Sequence, residues 1–90
     1  MLEIVPSGTF KKDLRRAKKR GLNFDRLHRV LLLLAAEQPL APKYRDHALT
    51  GDYEGFRECH IEPDWLLIYR VDSDVLVLFL FRTGTHADLF

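Results

Sequence analysis

Apolar positions along this chain change period once, and the change divides it into a helical half and a strand half. Phe10, Leu14 and Ala17 recur at helical spacing and form a narrow apolar stripe. A wider stripe runs through Phe24, Leu27, Leu31, Leu34 and Ala35, broadened by Val30 and Leu33. Ser7 or Thr9 can cap the first helix, and Gly21 suits the left-handed residue that ends it. Asn23 caps the second helix and Pro39 stops it. A link this short predicts two antiparallel helices. Before them, residues 2–5 read as a short strand closed by Pro6-Ser7-Gly8. After them, residues 53–61, 65–71 and 75–82 read as strands, with turns at Pro63-Asp64 and Asp72-Ser73-Asp74. The last of these is the most apolar, which predicts a central place in the sheet. Gly84 breaks it, and residues 85–90 leave room for one helical turn.

This order predicts a single α+β domain over residues 1–90. Two antiparallel helices pack on one face of a small, largely antiparallel four-stranded sheet, and the other face is left open. Residues 38–51 form a long connection with two prolines. Loops of that length in compact domains are commonly functional, and Tyr44, His47 and Leu49 argue that this one is ordered.

Composition narrows the class. A chain of 90 residues with 47% hydrophobic and 30% charged positions has the balance of a globular protein with one modest core. The single cysteine, Cys59, excludes an internal disulfide and an all-cysteine zinc site, and reads as a buried small apolar residue. The N-terminus lacks the basic and then apolar pattern of a signal peptide. The longest apolar runs, residues 30–36 and 75–81, fall far short of the roughly 20 residues a membrane span needs. A cytoplasmic protein without membrane association is expected.

Charge adds an asymmetry that the net value of +1 hides. Residues 1–45 hold 11 Lys/Arg against 4 Asp/Glu, and residues 46–90 hold 3 Arg against 9 Asp/Glu. The basic half is concentrated in Lys11, Lys12, Arg15, Arg16, Lys18, Lys19 and Arg20 around the first helix. Such a face fits a polyanion such as RNA, and equally a solvated helix surface.

The acidic half carries the candidate chemistry. Three of the four histidines lie in the phrases Tyr44-Arg45-Asp46-His47, Glu58-Cys59-His60-Ile61-Glu62-Pro63-Asp64-Trp65 and Arg82-Thr83-Gly84-Thr85-His86-Ala87-Asp88-Leu89-Phe90. Each is near a carboxylate. Imidazoles exchange protons near neutrality, which suits acid–base catalysis. The fourth, His28, lies on the flank of the second helix and has no evident role. The His60/Asp64 pair is the only close one, and no H-E-x-x-H motif is present, so no metal or other cofactor is expected.

Taken together, Arg45-Asp46-His47, Glu58-Cys59-His60, Pro63-Asp64-Trp65 and Arg82-Thr83-Gly84-Thr85-His86, with Phe10-Lys11-Lys12-Asp13-Leu14, resemble the YafQ branch of the RelE/ParE toxin superfamily. The resemblance covers nearly the whole chain. It implies a RelE-like fold and a ribosome-dependent, metal-independent messenger-RNA endonuclease, the toxin of a type II toxin–antitoxin pair. It also implies a small ribbon-helix-helix antitoxin of the DinJ/RelB kind that blocks the toxin and carries it to operator DNA. By this likeness His47, His60, Asp64 and His86 are catalytic, and Phe90, Trp65 and Arg82 contact substrate.

Cleavage by 2′-hydroxyl attack needs a base, an acid and positive charge for the phosphate. On that scheme His86 is the general acid and Asp64 the general base, with the reverse role open for His86. His60, across a turn from Asp64, would be kept cationic by it and face the phosphate. Arg82 would bind phosphate, or else form a salt bridge to Asp88 or Glu58. Trp65 and Phe90 would stack on bases, or, for Trp65, fill the core. The basic helix face would bind ribosomal RNA. Three other readings stay open: a non-enzymatic ParE-like binding toxin on the same fold, a metal-dependent hydrolase, and an inactive protein retained for repression with its antitoxin.

Overall fold

The computed structural model describes all residues, Met1–Phe90. The elements in chain order are β1 (Glu3–Pro6), α1 (Gly8–Lys19), α2 (Phe24–Ala35), β2 (His47–Ala48), β3 (Arg57–Glu62), β4 (Trp65–Asp72), β5 (Val77–Gly84) and α3 (His86–Leu89). Short 3₁₀ turns at Pro42–Tyr44 and Gly51–Tyr53 flank β2. The sheet order is β1-β5-β4-β3-β2, with β1 parallel to β5 and every other pair antiparallel.

The α+β class matches expectation, but the sheet has five strands rather than four. The extra strand, β2, is two residues long and lies in the 38–51 connection, where His47 pairs with Glu58 and Ala48 with Arg57. Two residues carry no periodicity, so only pairing reveals this strand. β3 begins at Arg57 rather than residue 53, because Gly55 at φ +93° turns the chain just before it. β5 begins at Val77 rather than residue 75, because Val75 and Leu76 belong to the preceding turn and Leu76 is left-handed at φ +55°. The middle strand is β4, with Trp65–Tyr69 buried throughout; β5 lies one place off centre.

Ser7, not Thr9, caps α1: its Oγ accepts from the Phe10 amide at 2.9 Å and donates to the Phe81 carbonyl at 2.7 Å. That second bond ties the start of α1 to β5. Gly21 is left-handed at φ +73°, as its place after α1 predicts. Asn23 caps α2, which ends at Ala35, short of Pro39. Phe10, Ala17, Leu27, Val30, Leu34 and Ala35 from the helices pack with Cys59, Ile61, Trp65, Leu67, Tyr69, Leu78 and Leu80 of the sheet. The opposite face is not open. Leu66, Ile68 and Leu89 form a second cluster there, covered by Leu49, Tyr53, Phe56 and Phe81.

β1 pairs with β5 only as far as Leu80, and beyond that point α1 takes over the edge of β5. Asp13, buried on α1, accepts from the Thr83 amide at 3.1 Å and from Arg82 Nε and Nη2 at 2.9 and 3.2 Å. Three donors offset the cost of burying this carboxylate. Arg82 is therefore paired with Asp13, a partner 69 residues away, and not with Asp88 or Glu58. Removing Asp13 strands a half-buried guanidinium and an edge amide. Asp13→Ala should destabilise the fold by about 2 kcal/mol, a fall of about 10 °C in Tm for a domain this size. Thermal unfolding by circular dichroism checks it; a Tm within a degree or two of wild type would show that the pair contributes nothing.

Candidate active site

Sheet register brings three separated segments to one end of the sheet. His60 pairs with Leu66, and Leu66 pairs with Gly84. The start of β4 therefore lies between the end of β3 and the end of β5. Asp64 sits in the turn joining β3 to β4, and His86 is two residues past Gly84. On the other flank, β2 places His47 directly across from Glu58. Glu58 and His60 are two apart on β3, so both project from the same face. The imidazole centroids run in a row, His47 to His60 at 6.5 Å and His60 to His86 at 5.7 Å.

Each histidine uses the same nitrogen to hold itself in place. His47 Nδ1 donates to the Arg45 carbonyl at 2.6 Å, and His60 Nδ1 donates to the Pro63 carbonyl at 3.2 Å. His86 Nδ1 donates to Asp64 Oδ1 at 2.7 Å. A carbonyl or carboxylate oxygen can only accept, so the Nδ1 proton is specified in all three and Nε2 is left to work. The Nε2 atoms of His47 and His60 lie 3.6 and 3.5 Å from the same oxygen, Glu58 Oε1. Glu58 and His60 are buried, whereas His47 and His86 are half-exposed. Glu58 Oε1 thus stands between the two Nε2 atoms, so a proton on either ring would face a carboxylate.

Asp64 works with His86, not with His60. Its Oδ1 accepts from both the backbone amide (3.0 Å) and the ring of His86. Those two bonds hold the Asp64 carboxyl below the usual carboxylate range. A carboxylate stabilised in this way is a poor general base; its bond to Nδ1 orients the ring.

The segment carrying His86 is clamped. Thr85 and Asp88 form a capping box on α3, with Thr85 N to Asp88 Oδ2 at 2.9 Å and Asp88 N to Thr85 Oγ at 3.1 Å. Arg20, at the C-terminal end of α1, grips both Asp88 oxygens at 2.6 and 3.1 Å, and Arg16 lies 3.3 Å away. Gly84 makes the approach possible: a Cβ there would meet Asp88 Oδ2 at 2.8 Å and Asp88 Cβ at 2.9 Å.

The 38–51 connection is ordered by a polar knot. Asp46 Oδ1 accepts from Tyr69 Oη at 2.5 Å and from Arg57 Nε at 3.3 Å. Burial, then the bond to Asp46, push the Tyr69 phenol up. Arg45, left-handed at φ +49°, turns its carbonyl to His47.

Of the sequence candidates, His47, His60, Asp64 and His86 converge. Trp65 does not join them for base stacking: it is 2% exposed, with its Nε1 donating to Thr83 Oγ at 2.9 Å. It is a core residue, as β4's burial on both faces demands. Phe90 is 62% exposed and edge-on to Tyr53 at 5.3 Å. Within the basic stretch, Arg16 and Arg20 are held by Asp88, while Lys11, Lys12, Arg15, Lys18 and Lys19 face solvent without a carboxylate within 4 Å. Glu58 was not among the candidates. Its signal was its place two residues before His60 in a strand, which puts both on one face.

Folding also assembles donors that linear spacing keeps apart. Glu58, His60 and His86 each bring a ligand atom within 4.8 Å of the others. One oxygen and two imidazole nitrogens are a set that zinc or copper accepts. A metal held there would occupy the atoms that carry protons.

With this geometry in view, similarity to known proteins is informative. The family model for the bacterial toxin of type II toxin–antitoxin systems, YafQ, matches residues 2–90. The mRNA interferase toxin YafQ of Escherichia coli (strain K12) is 44% identical over 98% of this chain and 95% of its own. A crystal structure of a metal-bound toxin from Helicobacter pylori is 49% identical, superposes with a TM-score of 0.94 and covers both chains fully. The toxin in the E. coli DinJ–YafQ complex is 41% identical with a TM-score of 0.90, covering 100% of this chain and 99% of that one.

The Asp88 clamp makes a pH-dependent contribution. Its hydrogen bonds from Arg20, and then from the Thr85 amide, hold the carboxyl far below its ordinary value. The stabilisation is therefore complete above the unfolded carboxyl value of about 3.9 and is lost only as pH falls through the lower folded value. Asp88→Asn should cost about 1 kcal/mol at pH 7, allowing for solvent screening. The gap between the variants should close below about pH 4. Urea unfolding from pH 7 to pH 2 measures it; a gap that widens in acid would contradict the clamp.

Proposed function

The chain belongs to the YafQ family of toxins from bacterial type II toxin–antitoxin systems, and we propose that it is the ribosome-dependent messenger-RNA endonuclease of such a pair. The observation that carries this reading is the row of three imidazoles, each with Nδ1–H tied to an oxygen and Nε2 free or facing Glu58.

Cleavage proceeds by attack of the 2′-oxygen on the adjacent phosphorus, with departure of the 5′-oxygen. The products are a 2′,3′-cyclic phosphate and a 5′-hydroxyl. The His86 imidazolium, oriented by Asp64, gives its Nε2 proton to the departing 5′-oxygen. The His47–Glu58–His60 trio takes the proton from the 2′-hydroxyl. The cationic rings also offset charge developing on the phosphate. Asp64 is a positioning residue in this scheme rather than the base. Phe90 stacks on a base beside the cut.

The solvent-facing part of the α1 stretch, Lys11, Lys12, Arg15, Lys18 and Lys19, binds ribosomal RNA, with Arg16 and Arg20 contributing mainly to the Asp88 clamp. The partner that silences the toxin is a small ribbon-helix-helix antitoxin, as DinJ partners YafQ in E. coli. Operator DNA is reached only through that complex. No helix is long and apolar enough to cross a membrane, and the reaction belongs to the cytoplasm, where translating ribosomes are.

Primer extension on messenger RNA with and without ribosomes tests the activity: new 5′ ends should appear only with ribosomes. His86→Ala should reduce single-turnover cleavage by roughly 10²–10⁴-fold while leaving ribosome co-sedimentation intact. Wild-type cleavage by this variant would remove His86 from the mechanism.

Metal chemistry is tested separately. Cleavage should persist in EDTA once ribosomal magnesium is restored. Added copper or zinc should inhibit it, reversibly on chelation, by occupying the ring nitrogens of His60 and His86. Activity lost in EDTA and regained with zinc or manganese, but not with magnesium alone, would make the protein a metal hydrolase instead.

A further inference from the structure

Beside the histidine row, and outside every role assigned above, a cleft of about 440 Å³ follows the outer edge of β3. β2 covers that edge only at Arg57 and Glu58, so the edge from His60 onward is bordered by the Pro42–Tyr44 turn and by α2 instead. Arg26 and Arg29 line the cleft from α2, and Lys43, Tyr44 and Arg45 from the turn. His60 closes its inner end. Four cations face one carboxylate, Glu62, which pairs with Arg26 at 3.5 Å.

Two of the remaining cations, Arg29 and Arg45, are unspent. Among all the arginines, only Arg15, Arg29 and Arg45 have neither a carboxylate within 4 Å nor an aromatic ring beneath them. Two of those three line this cleft. Lys43 has no carboxylate partner and lies over the Tyr44 ring of the same turn, 5.1 Å from its centroid, a contact that leaves its charge unpaired. Elsewhere the fold spends its guanidinium groups on Asp13, Asp46 and Asp88. Arg45 links the cleft to the site, since its carbonyl holds His47 while its side chain lines the cleft.

We propose that this cleft is the phosphate-binding track for the single-stranded RNA flanking the scissile bond, with Arg29, Lys43 and Arg45 gripping backbone phosphates that lead to His60. The inference rests on the ribonuclease reading and adds the path of the substrate strand. Guanidinium groups grip phosphate oxygens in pairs and lysine supplies a point charge. Such contacts position a strand without reading its sequence.

The test uses Arg29→Ala with Lys43→Ala, because both residues are exposed and neither touches the histidines. A labelled single-stranded RNA with 2′-O-methyl sugars, which cannot be cut, is titrated by fluorescence anisotropy across a salt series. The double variant should bind about tenfold more weakly at low salt, and the slope of log K against log salt should flatten by about 1.4, or roughly 0.7 per lost phosphate contact. Arg29→Lys with wild-type Lys43 should restore most of the slope. On programmed ribosomes the double variant should co-sediment normally but cleave about tenfold more slowly at saturation. An unchanged slope and cleavage rate would overturn the inference. So would intact RNA binding with lost capture of the co-expressed antitoxin, which would give the cleft to a protein partner. If wild type fails to cleave on ribosomes while the RNA slope still depends on Arg29 and Lys43, the ribonuclease reading fails and the cleft stands.

Discussion

Two crossed ion pairs between α1 and the C-terminal segment hold this structure in its working form. Asp13 of α1 takes Arg82 and the Thr83 amide at the end of β5, and Arg20 with Arg16 takes Asp88 on α3. Between these anchors lie Gly84, Thr85 and His86. A four-residue helix has no stability of its own. Its capping box and its grip on α1 convert a chain end that would otherwise fray into a fixed mount for an imidazole. The same arrangement explains why Gly84 is followed so closely by Asp88: the two are packed too tightly for any side chain at position 84.

The mount matters because proton transfer depends on which nitrogen carries the proton. Three separate backbone or carboxylate oxygens, from Arg45, Pro63 and Asp64, receive the three Nδ1 protons. The site thus specifies tautomer as well as position. It also divides its carboxylates by environment. Exposed Asp64, its carboxyl held low by two bonds from His86, orients that ring, whereas buried Glu58 stands between the Nε2 atoms of the other two. Environment separates the two acids into two jobs, as acid–base sites generally require.

Charge follows the same economy. The basic first half is not a uniform polyanion surface. Arg16, Arg20 and Arg26 are engaged by Asp88 and Glu62, which leaves two groups of free cations: the outer face of α1, and the edge of β3 beside His60. These groups lie on different elements, so docking and strand positioning draw on separate residues.

The sequence alone left the first cap between Ser7 and Thr9, and Trp65 between core and base stacking; it determined the α+β class, the order of two helices and four of the five strands, and the Asn23 cap. These follow from local periodicity and local hydrogen-bonding options, which a linear string carries in full. It also marked His47, His60, Asp64 and His86 through recognisable phrases. Tertiary structure alone decided who pairs with whom. Asp64 was matched to the histidine four residues away and belongs instead to one 22 residues away. The carboxylate partner of Arg82 is neither Asp88 nor Glu58 but an aspartate on a helix 69 residues back. A two-residue strand and the convergence of Glu58, His60 and His86 left no mark, because each exists only through strand register. Register is set by the packing of whole faces, and no short window of sequence contains it.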